Sequence, residues 1–184
     1  IVLIVFNFLF MKIAGNTGVA AYGVIANLWF IVVSMFTGIS QGMQPIMSHN
    51  YGKGKYGNVN KILKYGLILM GTFAAAIYAV MFFGSEYVAA IFNSEHNETL
   101  QYIAEEGLKL YYIACPFVGF NIIISIFFTS TEYPVPAHII SILRGFALII
   151  PMAFIMLFAG GRIGLWMAFP VTELIVKVIG IILY

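Results

Sequence analysis

The chain has 184 residues, of which 62% are hydrophobic and only 9% charged, whereas soluble domains carry roughly a quarter charged residues. Water is therefore not the main solvent of this fold, and the formal net charge of +2 excludes the strongly basic surface that nucleic-acid binding requires. Cys115 is the only cysteine, which excludes an internal disulfide, and its apolar neighbours mark it as an inert buried thiol.

A bilayer core about 30 Å thick takes about 20 apolar residues per helical crossing. An ionised side chain inside it costs roughly 2.5 kcal/mol or more, so the charge-free runs 13–52, 65–85, 110–131 and 145–161 locate the crossings. The expected membrane helices lie at 1–13, 19–48, 63–86, 100–131, 136–159 and 163–184. The fold class is an all-α, polytopic transmembrane helix bundle of about six helices, forming one lobe over residues 1–184. Strands are not expected, because membrane strands alternate in polarity over about 10 residues and these segments are longer without alternating.

The first helix begins at Ile1, without an initiating Met, inside an apolar run. The chain reads as part of a longer polypeptide, and the run is too short for a secretory signal. In the second helix Asn27, Ser34, Gln41 and Ser48 recur every seven residues, a spacing that drifts by about 20° per heptad and keeps all four on one face. Lys53, Lys55, Lys61 and Lys64 follow, and lysine-rich short loops stay in the cytoplasm. The next link carries Glu86, Glu95 and Glu98, and alternation places it outside.

The fourth helix presents Asn121, Ser125 and Thr129, and the fifth His138, Ser141 and Arg144. Such stripes serve either as hydrogen-bonded seams between helices or as walls of a watery cavity. Pro45, Pro116, Pro151 and Pro170 fall inside expected helices, where each frees a carbonyl one turn back and makes either a static kink or a bend. In the last helix Glu173 precedes Lys177 by four residues, the favourable order for an intrahelical ion pair, at mid-membrane depth. His49, His96 and His138 show no metal-ligand spacing. No catalytic residue, metal site or organic cofactor is expected, and the chain does not read as an enzyme.

Several stretches resemble a known family. Ala20-Ala21-Tyr22-Gly23-Val24, Gly38-Ile39-Ser40-Gln41-Gly42-Met43-Gln44-Pro45 and Asn50-Tyr51-Gly52-Lys53-Gly54 look like the second helix and turn of a multidrug and toxin extrusion (MATE) lobe. Cys115-Pro116-Phe117, Phe127-Phe128-Thr129-Ser130, Ser141-Ile142-Leu143-Arg144, Gly164-Leu165-Trp166 and Pro170-Val171-Thr172-Glu173 continue the match in order, and are similar to the C-terminal lobe of the MepA-like branch. Thr131-Glu132-Tyr133-Pro134-Val135-Pro136 departs from the Gly-Lys-type turn usual there, and Asn121 stands near a position that is acidic in some relatives.

The resemblance implies the C-terminal half of a multi-pass transporter in a bacterial cell membrane. Such a protein exports cationic, aromatic drugs in exchange for H⁺ or Na⁺, and its other partners are the lipid bilayer and the N-terminal lobe of the same polypeptide. The candidate cavity-lining, substrate-binding residues are Asn27, Ser34, Gln41, Asn121, Ser125, Arg144 and Glu173. The abundant aromatic and Met side chains suit flat cationic solutes, although packing uses the same residues. A lipid-linked oligosaccharide flippase of the same superfamily, or a channel or non-catalytic membrane subunit, is the alternative.

Overall fold

The computed structural model describes residues 1–184, and all of its regular structure is helical. In chain order these are α1 (Val2–Gly52), α2 (Tyr56–Phe83), α3 (Ser85–Phe92), α4 (Glu98–Tyr111), α5 (Cys115–Ser130), α6 (Pro134–Ile142) and α7 (Ile149–Leu183). A 3₁₀ turn at Tyr112–Ala114 joins α4 to α5, and a π-helical turn at Leu143–Ala147 joins α6 to α7. Four runs, Val2–Gly52, Tyr56–Phe83, Glu98–Ser130 and Ile149–Leu183, are long and apolar enough to cross a membrane.

Two glycines fold the longest helices back on themselves. Gly15 has φ 61° and ψ −153°, a conformation essentially closed to residues with a Cβ. The chain reverses there: Phe6 and Phe10 both stack on Tyr22, at 5.4 and 5.3 Å between ring centroids. α1 is thus a hairpin with arms 2–14 and 16–52. Gly161, at φ 57° and ψ −134°, reverses α7 in the same way. Gly164 lies so close to the Met156 carbonyl that a Cβ there would collide with it. The arms of α7 are 149–160 and 162–183.

With these reversals all the expected helical segments are present. The fifth is composite, running through α6, the π turn and the first arm of α7. Pro151 accounts for the π turn: it has no N–H to donate and its ring crowds the Ala147 carbonyl, while the Leu148 amide bonds five residues back to Leu143 at 3.1 Å. Pro116 likewise sits in the first turn of α5, just after the 3₁₀ turn, where a missing N–H is harmless.

One element differs from expectation. α3 falls in what the charge pattern marks as a loop, yet Ser85 and Ala89 are buried. The Gln101 side chain of α4 donates to the Glu86 carbonyl at 2.9 Å. An eight-residue helix has no stability alone, so packing against α4 creates it.

The core is aromatic. Trp166 is fully buried, with its ring 4.3 Å from Phe10, 6.2 Å from Tyr22 and 6.4 Å from Tyr111. Gly107 permits that approach, since a Cβ there would meet both Ile25 and the Trp166 ring. Trp29 meets Tyr111, Tyr112 and Phe169 edge-on at 5.0 to 5.6 Å. These rings lock α1, α4 and α7 together. Phe158, 96% exposed, and Phe83 point outward, as suits a surface solvated by lipid.

Candidate functional site: a charged centre at mid-depth and a polar face on α1

Three elements converge on Glu173, which is only 1% exposed. From α5, the Asn121 side-chain amide donates to the Glu173 carboxylate at 2.7 Å and to its backbone carbonyl at 3.0 Å. From the π turn, Arg144 Nε donates to both carboxylate oxygens at 2.9 Å. Glu173 stands about 16 Å along its arm from Arg162, and Arg144 about 15 Å along from Pro134. The centre therefore lies midway between the two ends of the lobe.

The carboxylate's partner corrects the sequence-based expectation. Glu173 pairs with Arg144, and Lys177 points instead at the rings of Phe117 and Phe120, 5.4 and 5.3 Å from their centroids. The reason is geometric. Glu173 is enclosed by Asn121 and Arg144, while the Lys177 ammonium finds two aromatic faces that attract a cation. Two cations and one carboxylate then share the α5–α7 region. The Asn121 carbonyl oxygen and the Ser125 hydroxyl, one turn apart on α5, are buried without a protein partner.

The other candidates lie elsewhere. Asn27, Ser34 and Gln41, with Ser48, are exposed along the second arm of α1, and no hydrogen bond links them to the charged centre. Ser34 donates to its own Phe30 carbonyl at 2.7 Å. From Asn27 to Ser48 the face runs for about 32 Å, the full depth of a bilayer core. Phe30, Met35, Gly38, Gly42 and Pro45 share the exposed side. Of the stripes on the fourth and fifth expected helices, Asn121 and Ser125 turn inward, whereas Thr129 and Ser141 are exposed and bond to carbonyls of their own turns, and His138 is exposed.

Sequence reasoning missed a second ion pair. Arg162, beside the Gly161 reversal, donates from Nε to Glu106 at 2.7 Å and from a terminal nitrogen at 3.3 Å, tying that turn to α4. The available signal was a lone Arg at one end and a Glu pair at the same end.

A model of the MatE family matches residues 1–158. The chain is 22% identical over 167 residues to a FAD transporter of Shewanella oneidensis, covering 89% of this chain and 36% of that protein. Its fold matches a multidrug resistance MATE family transporter in the outward-facing conformation, with TM-score 0.90 and 15% identity. It also matches a MOP superfamily transporter from Pyrococcus furiosus, with TM-score 0.88 and 15% identity. Each likeness covers 99% of this chain and 41% of the solved one, so the chain spans well under half the length of the relatives it matches. The membrane-embedded helices, the paired hairpins and the family match agree: this chain belongs to the MatE family of membrane transporters.

Proposed function

We propose that the chain is the C-terminal lobe of a secondary active exporter that carries aromatic organic solutes across the cell membrane in exchange for H⁺ or Na⁺. The observation that supports this most is the exposed α1 face. Amide and hydroxyl groups at Asn27, Ser34, Gln41 and Ser48 cannot face hydrocarbon over about 32 Å without cost. They suit a water-filled passage shared with a second lobe, and the neighbouring Phe30 and Met35 suit the apolar part of a solute. Cationic aromatic drugs are the substrates the family resemblance suggests.

Scanning cysteine accessibility in the full-length protein tests this. In a Cys115→Ala background, cysteines at Asn27, Ser34 and Gln41 should react with a water-soluble thiol reagent, and a transported solute should protect them. Cysteines at Leu69 and Phe73, exposed on the apolar side of α2, should stay unreactive. Equal, low reactivity at both sets would remove the passage from α1.

A second reading, export of an anionic aromatic solute, is favoured by one observation: Arg144 and Lys177 outnumber Glu173 at mid-depth. The Shewanella oneidensis relative is named as a transporter of FAD, which carries that charge. Counterflow into everted vesicles, with a cationic dye and FAD measured side by side, separates the two readings.

A further inference from the structure

The lysine-rich end of the lobe holds a depression with the two-part character of a lipid. Its first part is a cavity of about 450 Å³, rimmed by Tyr51, Tyr56, Tyr133 and Tyr184 together with Asn60 and Thr131. Its second is a groove of about 390 Å³ whose walls are Leu63, Leu67 and Ile68 of α2, Phe120 and Ile124 of α5 and Ile181 of α7. Asn60 and Tyr184 line both parts, and Lys64 lines the groove, so the two adjoin.

The sequence builds this shape by helical spacing. Positions 60, 63, 64, 67 and 68 of α2 fall on one face, and Phe120, Ile124 and Phe127 of α5 recur one turn apart to form the opposite wall. Hydroxyls and the amide cluster at one end, and about 12 Å of α2 from Asn60 to Ile68 leads into purely apolar walls. Four lysines face one carboxylate at this end. Lys53, Lys55, Lys61 and Lys64 cluster here, none of them in an ion pair, and residues 1–85 contain no Asp or Glu. Glu132, in the α5–α6 turn, is the carboxylate at this end.

We propose that this depression seats an anionic diacyl phospholipid of the cytoplasmic leaflet. Its phosphate lies near Lys64, Asn60 and the tyrosines of the rim, with Lys53, Lys55 and Lys61 at the same end of the lobe, and one acyl chain lies along the groove between α2, α5 and α7. A soluble phosphate compound has no use for the apolar groove, and a zwitterionic lipid gains nothing from four unpaired lysines. Basic pockets between helices on the cytoplasmic side bind acidic headgroups for the same electrostatic reason.

The test uses the purified full-length transporter in mild detergent, titrated with phosphatidylglycerol and with phosphatidylcholine of identical acyl chains. Bound lipid is counted by native mass spectrometry. Phosphatidylglycerol should bind about tenfold more tightly, and K61Q/K64Q should abolish that preference, each lysine near the surface contributing a few-fold. I181W, at an exposed groove position, should weaken both lipids together and keep the preference. Equal affinities in the wild type, a preference that survives K61Q/K64Q, or lipid binding indifferent to I181W would each overturn the proposal. Displacement by glycerol 3-phosphate at equal concentration would overturn it in favour of a soluble phosphate ligand.

Discussion

Arg144 and Glu173 meet through a single nitrogen: Nε donates to both carboxylate oxygens at 2.9 Å, joining segments 29 residues apart. Removing one partner of a buried pair leaves a charge without compensation, at about 3–5 kcal/mol. Glu173→Leu should therefore sharply lower the folded yield of the full-length protein. Glu173→Leu with Arg144→Met should recover most of it, and Lys177→Met should rescue nothing, all measured by thermal unfolding in detergent. Recovery by the Lys177 change instead would reassign the pair. If the centre also serves transport, solute export stays low in the stabilised double variant.

The reversal at Gly15 predicts an asymmetry between two glycine substitutions. Gly15→Ala must hold a Cβ at φ 61° and ψ −153°, at a cost of about 1–3 kcal/mol. Gly23→Ala lies in regular helix with open space around its Cβ and should be neutral or stabilising by up to about 1 kcal/mol. Melting temperatures of the two variants, side by side, check this. Equal effects would mean that the hairpin does not depend on the glycine.

Truncating the aromatic core should separate packing from lipid contact. Trp166→Ala removes a fully buried ring that touches Phe10, and such truncations cost about 3–5 kcal/mol. Phe158→Ala removes a ring that is 96% exposed and should change stability by less than about 0.5 kcal/mol. Thermal stability of both variants in one detergent is the measurement. A large loss at Phe158 would point to a protein partner on that face.

The loop charges and the ion pair at the Gly161 reversal make a joint topology prediction. In a Cys115→Ala background, a cysteine at Lys55 should be shielded from an impermeant thiol reagent in intact cells, and one at Glu95 should react. Because Arg162 reaches Glu106, a cysteine at Gly160 should share the accessibility of Glu95. Opposite labelling at Lys55 and Glu95 would invert the lobe, and opposite labelling at Gly160 and Glu95 would break the packing.

Alternating access between two lobes needs both of them. The chain expressed alone should therefore leave dye accumulation in a pump-deficient cell unchanged, whereas the full-length protein should lower it. Energy-dependent efflux by this chain alone would contradict the proposal of a passage shared between two lobes at α1.

By itself the sequence determined where helices could lie, because a charge in hydrocarbon costs so much that the long charge-free runs and their lysine or glutamate borders leave little choice. It also placed Glu173 at mid-membrane depth, where pairing, protonation or contact with cavity water is expected. Tertiary structure alone decided which partner. Lys177, four residues away, satisfies every local rule for a pair, but Arg144 reaches the carboxylate because of how α5, α7 and the π turn before Pro151 are rotated against one another. Local spacing carries no information about that rotation. The same holds for the stripes. Periodicity placed Asn27, Ser34 and Gln41 on one face, and only packing showed that this face is left uncovered while Asn121 turns inward to Glu173. The tight reversals at Gly15 and Gly161 were legible as breaks between apolar runs. Their sharpness depends on backbone angles, φ 61° with ψ −153° and φ 57° with ψ −134°, that glycine accepts and residues with a Cβ do not.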